Sequence, residues 1–195
     1  DPRLHKLRRD ARMSSDEACL RCHEFQFPDG ANRSRPEYMQ LTIREHQGSR
    51  WSGESCVDCH MPRQKDGHRS HRFLSAHDEA TLRAALRVTA TAQAGTLLVK
   101  LEPVRVGHAF PTGDLFRRVV VDVKAADAEQ AVVFSEQRDL MRHFSSEQQR
   151  PGARVRICAL DNRLFGPTAL TFPLGAQAKS VQFRVRYQRV AFPLD

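Results

Sequence analysis

Two five-residue segments concentrate the residues able to do chemistry: Cys19-Leu20-Arg21-Cys22-His23 and Cys56-Val57-Asp58-Cys59-His60. Each places two thiols three positions apart and an imidazole directly after the second. Positions i and i+3 of a helix share a face. The two thiols can therefore add to the two vinyl groups of one porphyrin, and the following His is delivered beneath the ring as an iron ligand. This is the CxxCH pattern of covalent haem c attachment. Its repetition predicts two haem c groups, tethered by Cys19, Cys22, Cys56 and Cys59, with His23 and His60 as metal ligands. A zinc ribbon would require neither His and would not call for so long a gap between Cys22 and Cys56. A thioredoxin-like dithiol belongs in a βαβ setting, which is missing here. Disulfides within a helical CxxC are sterically awkward.

The elements that must position these groups follow from the surrounding pattern. Ser14-x-x-Glu17 reads as a capping box opening a short helix into Cys19. Pro36 suits the first turn of a helix through Met39, Ile43 and His46, ending at Gly48. Asp78 is placed to cap a helix with Leu82, Ala85 and Leu86 on one face. From about residue 86 the apolar period becomes two: Leu97, Val99 and Leu101; Val119, Val121 and Val123; Val181, Phe183, Val185 and Tyr187. Further strands are expected near 86–92, 131–137, 153–160 and 168–173. The fold class is α+β: a small helical, loop-rich dihaem module over 1–80, then an antiparallel immunoglobulin-like β-sandwich over 81–195.

Charge follows the same division. The 195-residue chain carries a net +8, with 14 Lys and Arg against 13 Asp and Glu over 1–80 and 17 against 10 beyond. Eight of nine His and four of five Cys fall at or before position 108. The Arg excess lies mostly on outward strand positions, and aromatic interleaving is lacking, with one Trp and two Tyr, so nucleic acid is not the expected partner. Four haem propionates would lower the net charge to about +4. No apolar run reaches the roughly 18–20 residues of a membrane-spanning helix. The first residue is Asp, so a processed chain or part of a longer one is expected.

Cys59-His60-Met61-Pro62 followed by Ser70-His71-Arg72-Phe73 resembles the multihaem c-type cytochromes that carry a CxxCHMP motif. That group spans electron-transfer cytochromes, pentahaem nitrite reductases and octahaem hydroxylamine-oxidising enzymes. Gly107-His108-Ala109-Phe110-Pro111-Thr112-Gly113 resembles the GHxxPTG segment of the β-domain that follows the haems in some of them, and Asp161-Asn162-Arg163-Leu164 is similar to that domain's end. The resemblance implies a periplasmic or extracellular location, haem-to-haem electron transfer and mostly bis-His iron. Relatives often carry four or more haems, and this chain has two sites.

Seven His remain for two distal positions. The resemblance puts the His of the SHxF segment, His71, first. His108 is second, in a loop between two strands that can project a ligand. His46, at the end of the helix before the second motif, could reach the first haem or favour its helix C-terminus. His68 and His77 are reserves, and His5 and His143 default to the surface. The surplus suggests that some His ligate a haem on another chain or an upstream segment. Met13, Met39 and Met141 read as packing residues, and Met61 sits too close to His60 to reach the opposite face. Cys158 falls with the arginines of its strand unless a register break buries it.

The leading expectation is an electron carrier with no catalytic residues. Its partners would be redox proteins or other cytochrome chains in a haem array, with the sandwich as a docking surface. The alternative is a subunit reducing nitrogen oxyanions or peroxide at an open haem, with Arg69, Arg72, Arg105 and Arg117 polarising the substrate.

Overall fold

The computed structural model describes residues 10–27, 37–150 and 153–190. After a 3-10 turn at Ala11–Ser14 come α1 (Glu17–His23), β1 (Glu24–Gln26), β2 (Tyr38–Leu41), α2 (Thr42–Gln47), α3 (Cys56–His60) and α4 (Glu79–Ala85). The strands that follow are β3 (Leu86–Gln93), β4 (Thr96–Pro103), β5 (Arg118–Ala126), β6 (Val132–Leu140), β7 (Arg142–Arg150), β8 (Ala153–Asp161), β9 (Thr168–Pro173) and β10 (Ser180–Gln188). The succession of short helices and then strands makes the chain α+β and rich in strand.

Two antiparallel three-stranded sheets, in the orders β10-β5-β6 and β3-β4-β9, enclose one core. Alternation decides which side chains enter it. Val119, Val121 and Val123 of β5 meet Leu97, Val99 and Leu101 of β4 and Phe172 of β9, all at most 2% exposed. The outward positions carry the basic excess, paired with acids: Arg186 with Asp122 and Arg118 with Asp139, each at 2.7 Å. Asp78 accepts from the backbone N–H of Thr81 at 2.8 Å and caps α4, as its position predicts, and Leu82 and Ala85 of that helix pack on the sandwich core.

Three expectations need correction. The segment 38–41 is a strand, because Tyr38 and Leu41 pair with Gln26 and Glu24 of β1, and the helix starts only at Thr42. Pro36 lies outside the described residues. The Ser14–Glu17 box does not frame α1: Ser14 belongs to a 3-10 turn capped by Asp10, and Asp16 occupies the N-cap of the helix. A strand was also unforeseen over 142–150, where β7 and β8 form a separate two-stranded ribbon. At the base of the ribbon, Phe144 meets Phe27 edge-on at 5.4 Å, and the Arg156 guanidinium lies 5.7 Å from the same ring. A register shift at His143/Phe144 brings Phe144 opposite Cys158, whose half-buried thiol turns to the Leu160 carbonyl. Among the described residues no helix is long and apolar enough to cross a membrane.

Candidate cofactor site

Both CxxCH segments form one- to two-turn helices. In α1, Glu17 in the first turn and Arg21 and His23 in the last complement the helix dipole. In α3, Ser55 caps by accepting from the Asp58 N–H at 3.3 Å and donating to Asp58 Oδ2 at 2.7 Å. The C-terminal end of α3 is held by Arg69, which donates to the Val57 and Met61 carbonyls at 3.0 and 3.1 Å and pairs with Asp58 at 2.7 Å. Arg69 is thereby committed to the helix and is not free to polarise a substrate.

The two motifs meet at their N-terminal ends. Asp16 makes no cap bond to its own helix and instead accepts from the backbone N–H of Cys56 at 2.8 Å. Burial, then Asp16 and the neighbouring Cys19 thiol, push the Cys56 thiol up to about 12. Burial and Glu54 also raise Cys59. All four motif cysteines are free thiols, Cys19 and Cys56 half-buried and Cys22 and Cys59 exposed. The imidazole of His23 is exposed at the end of α1, and its pKa is lowered by burial of part of the ring and by the nearby His60 and Arg117.

His60 has a defined orientation. Its Nδ1 donates to the Leu74 carbonyl at 2.8 Å, so Nε2 is the ring nitrogen left for a metal. His108 repeats the arrangement, with Nδ1 3.0 Å from the Ala109 carbonyl. Burial drives the His108 pKa down, which favours the neutral, ligating form. The two rings are parallel to within 7° with centroids 6.2 Å apart. This exceeds the roughly 3.5–4 Å of face-to-face contact. A separation of about 6 Å is within the range in which two imidazoles can bind one metal at about 2 Å each.

Among the remaining expected ligands, His46 adjoins the His108 loop. His71 is exposed, its ring 6.5 Å from that of Phe73. His46, half-buried in the last turn of α2, lies against Gly107, where a Cβ would come within 3.0 Å of its Cδ2; Gly107 permits that approach. His68 is beside Asp66, His77 Nδ1 receives Arg189 at 2.5 Å, and His143 Nε2 faces Asn162 Oδ1 at 3.2 Å. His5 lies outside the described residues.

Residues to which the sequence assigned no role at the site hold the His108 loop. Glu45 of α2 and Arg163 form an ion pair of 2.7 Å with side chains 5% and 4% exposed. Glu45 Oε2 accepts from the Thr112 hydroxyl at 2.5 Å and from the Ala109 N–H at 3.3 Å. Arg163 also forks onto Asp161 and donates to the Pro111 carbonyl at 3.3 Å. Breaking one partner of so buried a pair costs about 3–5 kcal/mol. Arg117 donates to the Thr112 carbonyl at 3.2 Å.

These donors fit a haem. Each motif offers two thiols on one helical face, and His60 and His108 each have Nδ1 engaged by a backbone carbonyl, which leaves Nε2 for a metal. Among the described residues no group of three or more His, Cys, Asp or Glu is disposed to hold a metal ion by itself. A porphyrin needs only axial ligands from the protein, because its own nitrogens supply the rest.

No family model matches the sequence, and no curated protein matches it. Among solved structures, the chain is similar to a penta-heme cytochrome c552 from Thermochromatium tepidum, with a TM-score of 0.68 and 21% identity over 92% of this chain. The match takes in 50% of that chain, so this sequence spans about half of its length. At this identity the likeness is one of fold, and that fold is one that a multihaem cytochrome c uses.

Proposed function

We propose that the chain is a dihaem region of a multihaem c-type cytochrome that transfers electrons. It comprises a haem module over 1–80 and an immunoglobulin-like sandwich over 81–195. Haem would be held through Cys19 and Cys22 with His23, and through Cys56 and Cys59 with His60. The observation that carries this reading is the parallel His60–His108 pair, 6.2 Å between centroids, directly beside the second CxxCH helix. His108 would join His60 in holding the second iron, and His46 and His71 would be available to the first or to a further haem. When bound, haem supplies an iron that takes up and releases one electron. The chain's own residues fix the ligands: Leu74 and Ala109 turn the two imidazoles, Arg69 closes α3, and Asp16 joins the motifs. The penta-heme cytochrome c552 that shares the fold supports haem-based electron transfer; an exported location and redox proteins or further cytochrome chains as partners belong to the same proposal.

The test is a pyridine haemochrome and a ferric spectrum of the purified protein. Two haem c per chain are expected, with His108→Ala turning one of them high-spin. A protein matured with the haem-attachment machinery that carries no haem overturns the proposal.

A second reading, reduction of a small oxyanion at an open iron, has one observation in its favour. His23 has no parallel imidazole partner among the described residues, while the charge of Arg117 falls on it. A high-spin haem in the wild-type protein whose band shifts on adding nitrite favours that reading; a wholly low-spin spectrum rejects it.

A further inference from the structure

This inference rests on His60 and His108 being the two protein ligands of one iron. We propose that Glu45 and Arg163 are positioning residues, whose ion pair sets the His108–Thr112 loop so that His108 faces His60.

The loop between β4 and β5 has no strand ladder to define its path beyond one bridge, Phe110 with Leu164. Ala109, Phe110 and Pro111 bury the middle of the loop, and side chains that reach its backbone complete its conformation. Glu45 takes the Ala109 N–H and the Thr112 hydroxyl. Arg163 takes the Pro111 carbonyl from the other side. Ala109 is the residue whose carbonyl orients the His108 ring, so the carboxylate that grips its N–H acts one peptide away from the ligand. The pair joins three pieces of chain: α2, which lies between the two CxxCH motifs, the His108 loop, and the 161–164 segment that bridges to Phe110. Asp161 anchors Arg163 with a two-point contact, so the cation is fixed before it meets Glu45. A staple that served stability alone would have no need to converge on the ligand's own peptide.

The experiment compares ferric spectra of the holoprotein with Glu45→Gln, Arg163→Met, the double variant and His108→Ala, each at measured haem content and melting temperature. His108→Ala is expected to convert about half of the haem from low-spin to high-spin, one iron of two, with recovery on adding free imidazole. Glu45→Gln and Arg163→Met are expected to convert part of the same half at unchanged haem content, again with recovery by imidazole. A purely structural role would lower the melting temperature and leave the spin state alone. Folded Glu45→Gln and Arg163→Met proteins with wild-type spectra, alongside a high-spin His108→Ala, overturn the positioning role and leave the ligand assignment standing. A low-spin His108→Ala overturns the ligand assignment itself. Should a single variant fail to accumulate, the double variant removes both charges and leaves no lone buried ion from the pair. It is read by the same spectrum with the same two outcomes.

Discussion

From Leu86 to Gln188 the chain is organised around side chains; from Asp10 to Asp78 it hardly is. The core between the two sheets contains twelve buried apolar residues in one cluster. In the described part of the first region the buried residues are Ile43, Val57 and Ser70, α1 buries nothing, and Met13 and Leu20 stand 72% and 42% exposed. Hydrophobic burial at about 25 cal/mol per Å² can stabilise the sandwich by itself. The first region is held by two polar seams, Asp16 to Cys56 and Glu45 to Arg163, and by one aromatic contact, Phe27 under Phe144 and Arg156. In the proposed holoprotein, covalently tethered porphyrins supply the apolar surface that its side chains do not. One region is built to fold and the other to be filled.

The largest break in this comparison comes from removing the tethers. Replacing Cys19, Cys22, Cys56 and Cys59 together by Ser is expected to abolish haem attachment and to strip amide-exchange protection from 10–80. Protection of β4, β5 and β9 should persist. Equal protection of both regions in that variant would show that the first region has a sufficient core of its own.

The converse experiment is Phe172→Ala. Phe172 is fully buried between the sheets, and its truncation should cost about 3–5 kcal/mol in denaturant unfolding. The haem spectrum of the folded variant should change little, because Leu74 orients His60 and Glu45 and Arg163 hold the His108 loop, although Phe110 of that loop belongs to the same buried cluster. A spectral change in the folded variant would show that the sandwich core reaches into the site.

The same contrast explains what could be read in advance. Strands with period-two apolar residues were legible, since Val119, Val121 and Val123 are buried for the reason that makes them alternate. Arg142–Arg150 was not, because it is a polar stretch made into a strand by its β8 partner. Tyr38–Leu41 has helical apolar spacing and is extended because β1 pairs with it. At the site, the motif cysteines, His23 and His60 are local patterns. His108 was visible as a ligand candidate through its glycine-flanked loop. Asp16, Glu45 and Arg163 act through partners far along the chain, and no local spacing marks them. His71, put first on resemblance, has its ring beside Phe73, and the ring of His108 lies parallel to that of His60.

A smaller effect sharpens the polar side of the comparison. Arg69→Ala removes two hydrogen bonds to the carbonyls at the end of α3 and the pair with Asp58. A loss of about 1–3 kcal/mol is expected, charged hydrogen bonds being worth that much. It should appear as faster amide exchange in α3, with β5 unchanged. An equal effect on both would mean that the regions unfold as one unit.

The smallest effect sits at the join, where Asp78 caps α4 and α4 leads directly into β3. The Thr81 hydroxyl and N–H hold the Asp78 carboxyl below its ordinary 3.8. A depressed acid pKa stabilises the folded state above the unfolded value, and that contribution is lost as pH falls through the folded one. Protection of the α4 amides should therefore be flat above about pH 4 and decline on further acidification. Asp78→Asn keeps an acceptor but no charge, so it should flatten the decline while retaining most of the cap. Asp78→Ala should lower protection at every pH, because it leaves the Thr81 N–H without its acceptor. If α4 and the core strands lost protection together along the acid limb, the join would be part of the sandwich's cooperative unit rather than its polar border.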